Sequence, residues 1–235
     1  MSLRLVCFDV WDTLFILDAF YGDVAAELAG KFGGSPMEWR KRLLEAYQKV
    51  RTIRRRGGFR DSTIVAMALK AVSGFLGLAP EAIAEAISRA VEHSDSRKYV
   101  VDGAYDVLRL VRDFDLRTAI IGNVVFWPGS HNRVLLERAG LAKFFDRQFY
   151  ADEVGVSKPK PSIFKQVLSA FNVEPGEALH VGDSLFEDFA GAVLAGMNAV
   201  LIDESVKEEV KLSSWNAYII PSLKKLENIL KTEIK

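Results

Sequence analysis

The order of apolar runs and amphipathic stretches predicts an α/β protein: a parallel sheet with helices on both faces, interrupted early by an all-helical insert. Three observations lead there. A short apolar run, Arg4-Leu5-Val6-Cys7-Phe8, stands at the start and is closed by Asp9; a run of that length bounded by polar residues reads as a buried strand. From about residue 18 to 98 there is helical spacing and no strand signal. After Val101-Asp102-Gly103, short apolar runs alternate with amphipathic stretches, the pattern of parallel strands joined by crossover helices.

The insert reads as four helices. Val24, Leu28 and Phe32 set the spacing of the first, over 18–32. Ser35-Pro36-Met37-Glu38 opens the second: Ser35 can cap, Pro36 fits the first turn and Glu38 can reach back. That helix runs through Trp39, Leu43, Ala46 and Val50 until Gly57-Gly58 breaks it. Asp61 starts a third, ended by Gly77, and Pro80 a fourth, through Ile83, Ile87 and Val91. Beyond the insert, helices are expected at 104–113, 131–139, 160–171, 184–195 and 223–230. Strands are expected at 117–121, 147–150, 178–181 and 199–202, with an edge strand at 217–220.

The 235 residues suffice for one large domain or a core with an inserted subdomain, and 49% apolar with 26% charged residues is the composition of an ordinary globular protein. Basic and acidic residues balance, 31 against 31, so no global charge steers the chain to nucleic acid or an anionic membrane. No apolar stretch is long enough to span a bilayer and no secretion signal opens the chain, so a cytoplasmic location is expected. The single cysteine, Cys7, reads as an inert small hydrophobe. Trp39, Trp127 and Trp215 read as packing residues, Trp127 to His131 also as a pocket rim, and His180 as core.

The chemistry concentrates in four places. Asp9 ends the first strand, and a buried acid must be paired or bind metal. A second acidic pair, Asp183 and Asp188, follows the strand Ala178-Leu179-His180-Val181-Gly182. Lys158 lies between them in sequence, in Val156-Ser157-Lys158-Pro159-Lys160-Pro161, where Ser157 and Pro159 favour a loop from which it can reach inward. Lys160 is the alternative. Gly122-Asn123 ends another strand; the glycine can bring a neighbouring amide close to an anion, and Asn123 is a binding candidate or a turn residue. Asp9, Asn123 and Asp183 all fall at carboxyl ends of strands, where open α/β sheets bind ligands, so one pocket can hold all three. Asp188 has a second reading as a helix-terminus acid beside a Ser184–Glu187 capping box, which leaves Asp183 and Gly182 unexplained.

An Asp at the first strand end, a lysine before proline, and Gly-Asp with a later Asp together resemble the haloacid dehalogenase superfamily over nearly the whole chain. The resemblance implies a Rossmann-like catalytic core, residues 1–16 and 99–235, with a helical C1-type cap at 17–98. It implies that Asp9 is a nucleophile forming an aspartyl phosphate, that Lys158 pairs with it, and that Asp9, Asp183, Asp188 and the Trp11 carbonyl hold Mg²⁺, Asp188 through water. Gly122, Asn123, Trp11 and Asp12 are then substrate-binding candidates, and the substrate a small phosphorylated metabolite. Monomer and dimer both stay open.

Three positions depart from that family's pattern. The hydroxyl expected beside Asn123 is missing. At Trp11 phosphatases of the family carry a second Asp that protonates the leaving group; an indole is only a donor and barely acidic. General acid–base help is worth about 10²–10⁴ in rate, so a slow phosphatase is expected. Asp12 stands where the family has glycine and reads first as a turn residue, second as a replacement acid. Haloacid dehalogenases also carry an aromatic there and use no metal, which makes them the rival reading; they replace the Gly-Asp metal motif that this chain keeps. A catalytically weak phospho-ligand sensor is the third reading. The basic stretch Lys49 to Arg60 reads as an exposed helix end complementing the dipole, or alternatively as one or two arginines facing an anionic substrate.

Overall fold

The protein is described by a computed structural model covering residues 3–233; the outermost residues of the expected core, 1–2 and 234–235, lie outside the described residues. In chain order the elements are β1 Leu5–Phe8, α1 Leu17–Phe32, α2 Pro36–Arg55, α3 Ile64–Leu76, α4 Pro80–His93, α5 Ala104–Asp113, β2 Arg117–Gly122, α6 Gly129–Arg138 and β3 Arg147–Tyr150. They continue as α7 Ala151–Val154, α8 Pro161–Phe171, β4 Ala178–Gly182, α9 Ala190–Leu194, β5 Asn198–Ile202, β6 Val210–Leu212, β7 Ala217–Ile220 and α10 Leu226–Glu233.

The strands form one sheet in the order β3-β2-β1-β4-β5-β7-β6, parallel throughout except for β6 against β7. This is the Rossmann-like α/β fold. Side chains of β1 alternate between two cores, as strand geometry requires. Val6 and Phe8 join a core that continues into α1–α4, while Leu5 and Cys7 join a second core under α8 and α9. Burial pushes the Cys7 thiol up, in keeping with an inert role.

Three expectations are corrected here. Residues 217–220 form a strand, but not an edge strand: β6 pairs outside it, antiparallel. Three residues alternating Val-Lys-Leu carry too little pattern to stand out as a strand. Trp215 does not pack; it is 60% exposed. The helix expected at 184–195 begins instead as a π-helical turn, Leu185–Phe189, before α9. Such turns often mark functional sites.

Residues 17–93 hold α1–α4 and no strand. Ser35 caps α2 through its hydroxyl, which accepts from the Met37 amide, with Pro36 in the first turn. Gly77 ends α3 in the left-handed conformation, φ 68°. The two crossings between this insert and the sheet hydrogen-bond to each other: the Ile16 amide donates to the Tyr99 carbonyl (2.7 Å) and the Val101 amide to the Leu14 carbonyl (2.9 Å). No single helix among the described residues is long and apolar enough to cross a membrane.

Parallel register aligns the strand ends. Phe8 lies level with Ile120 on one side and Val181 on the other. Strand order reverses direction between β1 and β4, and the crevice beyond such a point is where open α/β sheets bind ligands.

Candidate active site

Asp9 follows β1, Asp183 follows β4, and Asp188 comes from the π turn beside it. One oxygen from each lies within 4.8 Å of the others. Gly182 now has a reason. A Cβ there would sit 2.3 Å from Cγ of Asp188, so only glycine leaves room for that carboxylate. The π turn aims two consecutive acids inward, Glu187 and Asp188, both buried. Ser184 shapes it: its amide donates to Asp188 (3.1 Å) and its hydroxyl accepts from the Glu187 amide (3.1 Å).

Lys158 reaches this cluster, and Lys160 does not; Lys160 pairs with Asp61 at the surface. The Lys158 ammonium, 1% exposed, donates to Asp9 (2.7 Å) and Asp188 (2.5 Å). Asn123 anchors the loop that carries it. The Asn123 oxygen accepts from the Lys158 amide (2.9 Å), and its nitrogen donates to the Lys158 carbonyl (3.0 Å) and to Glu187 (2.9 Å). Both amide hydrogens are therefore committed to the scaffold rather than free for a phosphate. Gly122 is accounted for by packing: a Cβ there would meet the Tyr150 ring at 2.7 Å.

Asp12 adopts φ 56°, the left-handed region that favours glycine, and its carboxylate accepts from the Leu17 amide (3.0 Å) at the start of α1. This geometry favours its turn reading. Trp11 stacks on Phe20 (5.1 Å between centroids) and meets Trp127 edge-on (5.7 Å). Its indole N–H is buried without an acceptor. The Trp11 carbonyl accepts no hydrogen bond among the described residues.

Charges in this cluster are unbalanced. Burial first, then Asp188, pushes Asp9 up to about 7 against the opposing pull of Lys158. Burial, then Asp188, Asp9 and Asp12, pushes Asp183 up to about 8. Burial opposes the charge on Asp188 too, but Lys158 and His180 outweigh it and hold its carboxyl well below the usual range. Burial works against Lys158, yet Asp188 and Asp9 keep its ammonium above the ordinary lysine value. One ammonium thus faces three carboxylates, and Asp183 has no hydrogen-bond or ion-pair partner among the described residues. Hard oxygen donors in excess, one of them unpaired, with an open carbonyl beside them, fit a divalent cation. Asp188 is already engaged by Lys158, His180 (2.9 Å) and the Ser184 amide, which suits an outer position.

Asp9, Trp11, Asp12, Asn123, Asp183 and Asp188 all line one cleft, whose opposite wall comes from α2: Tyr47, Arg51 and Arg54. Its free volume is about 30 Å³, close to the share of a single water. The exposed-helix-end reading of the basic stretch holds for Lys49, Arg56 and Arg60 but is corrected for Arg51 and Arg54, which turn into the cleft. Arg54 is 7% exposed and donates to Glu187 (2.5 Å) and to the Val124 carbonyl (3.1 Å); Arg55 donates to Glu187 (2.8 Å) and Ser184 (3.3 Å). Burial opposes the Glu187 charge, but Arg54, Arg55 and Arg51 lower its carboxyl to about 2.

Glu187 and His180 were not among the residues expected at the site, and Arg51 and Arg54 entered only through the alternative reading of the basic stretch. The only signals for them were the basic run itself and the neighbour of Asp188. His180, expected to be core, is buried mid-strand and also bonds Asp188.

With this fold and cluster in view, comparison with known proteins places the chain. The model of the haloacid dehalogenase-like hydrolases matches residues 3–196, and the chain belongs to that family. It is 29% identical over 237 residues to haloacid dehalogenase-like hydrolase domain-containing protein 3 of Homo sapiens, covering 95% of this chain and 92% of that one. It is 40% identical to a glyceraldehyde 3-phosphate phosphatase of Pyrococcus furiosus, but over 98 residues, 41% of the length of each. Among solved structures, the HAD-hydrolase YfnB of Bacillus subtilis superposes with a TM-score of 0.76 at 21% identity, covering 98% and 99% of the two chains, a likeness of fold. That structure is magnesium-bound and is described as revealing interdomain movement.

Proposed function

We propose that this hydrolase is a Mg²⁺-dependent phosphatase of small phosphomonoesters, acting through an aspartyl phosphate on Asp9. The observation that carries the reading is the meeting of Asp9, Asp183 and Asp188 around a space that one lysine cannot neutralise. Asp9, Asp183, the Trp11 carbonyl and, at one remove, Asp188 would hold the cation. Bound there, it would offset repulsion between the anionic nucleophile and the anionic phosphate.

The remaining steps belong to the chain. A carboxylate oxygen of Asp9 bonds to phosphorus as the ester P–O bond breaks, and the departing alkoxide takes a proton from solvent. Water then attacks the phosphorus of the acyl phosphate, releasing inorganic phosphate and restoring the carboxylate. Lys158 holds Asp9 in place and offsets negative charge throughout. Trp11 offers no proton, and Asp12 is tied to the start of α1, so turnover is slow and favours good leaving groups. Helices α1–α4 act as the cap over residues 17–98, pivoting on the paired crossings near Leu14–Ile16 and Tyr99–Val101 and excluding water from the cleft.

The rival, metal-free attack on the carbon of a haloacid, would leave Asp183, half-buried and unpaired, with no task. The test is a panel of phosphate esters with and without Mg²⁺, beside a short-chain haloacid. Phosphate release that a chelator stops is expected. Metal-free release of halide would transfer the chain to the dehalogenase reading, and binding without turnover to the sensor reading.

A further inference from the structure

We infer that Asp61, in the helical insert, is a positioning residue for Lys158: its carboxylate grips both ends of the turn that carries the lysine, so Lys158 is fully seated only with the insert docked on that turn. This rests on the phosphatase reading, in which Lys158 holds the reacting Asp9.

Ser157 to Lys160 form the turn, closed by the Lys160 amide donating to the Ser157 carbonyl (3.1 Å). Its middle is held from the sheet domain, where Asn123 bonds the amide and the carbonyl of Lys158 (2.9 and 3.0 Å). Its two ends are held from the insert. One Asp61 oxygen accepts from the Ser157 hydroxyl (2.8 Å) and the other from the Lys160 ammonium (2.5 Å). Lys158 lies between those two anchors in the chain.

Local sequence explains how a residue of the insert arrives there. After α2 the chain doubles back: Gly57 is left-handed, φ 76°, and a Cβ on Gly58 would stand 2.5 Å from the Ile53 side chain. Asp61 then opens the short 3₁₀ turn before α3. Its side chain is 14% exposed, and Ser157 is buried. Burial opposes the Asp61 charge, yet Lys160 and Ser157 hold its carboxyl below the ordinary value. An exposed ion pair contributes little, and Lys160 is exposed, so the Ser157 bond is the firmer half of the grip.

Seating matters because the Lys158 ammonium is buried and has two carboxylates to reach, Asp9 and Asp188. A shift of the turn lengthens both contacts at once and leaves the two acids facing each other. A displacement of about 1 Å that starts away from the chemistry can cost about 10²-fold in rate.

Hydrolysis of p-nitrophenyl phosphate with Mg²⁺ and the nitrogen NMR signal of the Lys158 ammonium test this together. A buried ammonium with two acceptors exchanges its protons slowly enough to be seen, and Lys158→Met identifies its signal. Asp61→Ala should broaden or erase that signal and lower kcat by about tenfold, with KM changed by less than about twofold. Asp61→Asn keeps an oxygen for Ser157 and should restore most of both. Ser157→Ala should lower kcat as Asp61→Ala does, and the double variant no further, because the two act through one bond. If Asp61→Ala melts without cooperativity, Ser157→Ala, which removes one hydroxyl from the same grip, carries the test. An unaltered Lys158 signal, a loss that falls on KM alone, or losses that add in the double variant overturn the positioning role. A wild type that hydrolyses no phosphate ester removes the phosphatase reading, and the ammonium signal then decides the grip by itself.

Discussion

The cleft sets two charge clusters against each other, and they are unbalanced in opposite senses. At the sheet end, Asp9, Asp183 and Asp188 face the single ammonium of Lys158. At the α2 end, Arg51, Arg54 and Arg55 face the single carboxylate of Glu187. The first is built on strand ends whose positions the sheet register holds. The second spans two parts of the chain, α2 and the π turn, that packing of the sheet alone does not hold together. Buried charge is unfavourable until it is paired, and the sheet end, where Asp183 has no partner among the described residues, fits a divalent cation.

The sharpest way to break this division is at the nucleophile. Asp9→Asn should reduce phosphate release to background while the melting transition stays cooperative; undiminished release would remove Asp9 from the mechanism. Next in size is Lys158→Met, which leaves Asp9 and Asp188 facing each other without their ammonium. Breaking a buried pair costs about 3–5 kcal/mol, to be read from urea unfolding, and a loss below about 1 kcal/mol would mean the cluster tolerates its own charge.

Glu187→Gln probes the other end. The Glu187 carboxyl is lowered from 4.5 to about 2 by its arginines, against burial. A depressed folded-state pKa gives stability that is present above the unfolded value and lost as pH falls through the folded one. The wild type should therefore exceed the variant by about 3 kcal/mol above pH 4.5. The gap should close as pH falls toward 2. A gap that does not change with pH would show that the guanidiniums do not hold that charge.

The smallest expected effect is the most discriminating. Trp11→Asp returns a proton donor to the sheet end and should raise kcat on ethyl phosphate, a poor leaving group, by about tenfold. An unchanged or lower kcat would mean that the indole has a role of its own in the cleft.

Legibility in the sequence followed the same divide. The strands leading to Asp9 and Asp183 were marked by apolar runs, and the acids stand at their ends because a parallel sheet must put them there. Helix α5 falls on its expected bounds, since Ala104 to Asp113 combines amphipathic spacing with a glycine start. The α2 end was not legible. Arg54 and Glu187 are 133 positions apart, and no local pattern distinguishes a guanidinium bound for a buried acid from one that complements a helix dipole. The π turn was likewise hidden, because Ser184 and Glu187 look like an ordinary capping box until Asp188 also turns inward. Gly182 needed coordinates as well: its reason is the carboxylate of a residue six positions later.

Phe15 has a consequence beyond its place in the core. Its amide donates to the Val10 carbonyl and its carbonyl accepts from Asp12, so it closes the turn that begins at Asp9, while its other edge bridges to Val100 on the returning strand of chain. One residue therefore belongs both to the turn that begins at Asp9 and to the ribbon that returns from helices α1–α4. Any shift of those helices would reach Asp9 through that single shared residue.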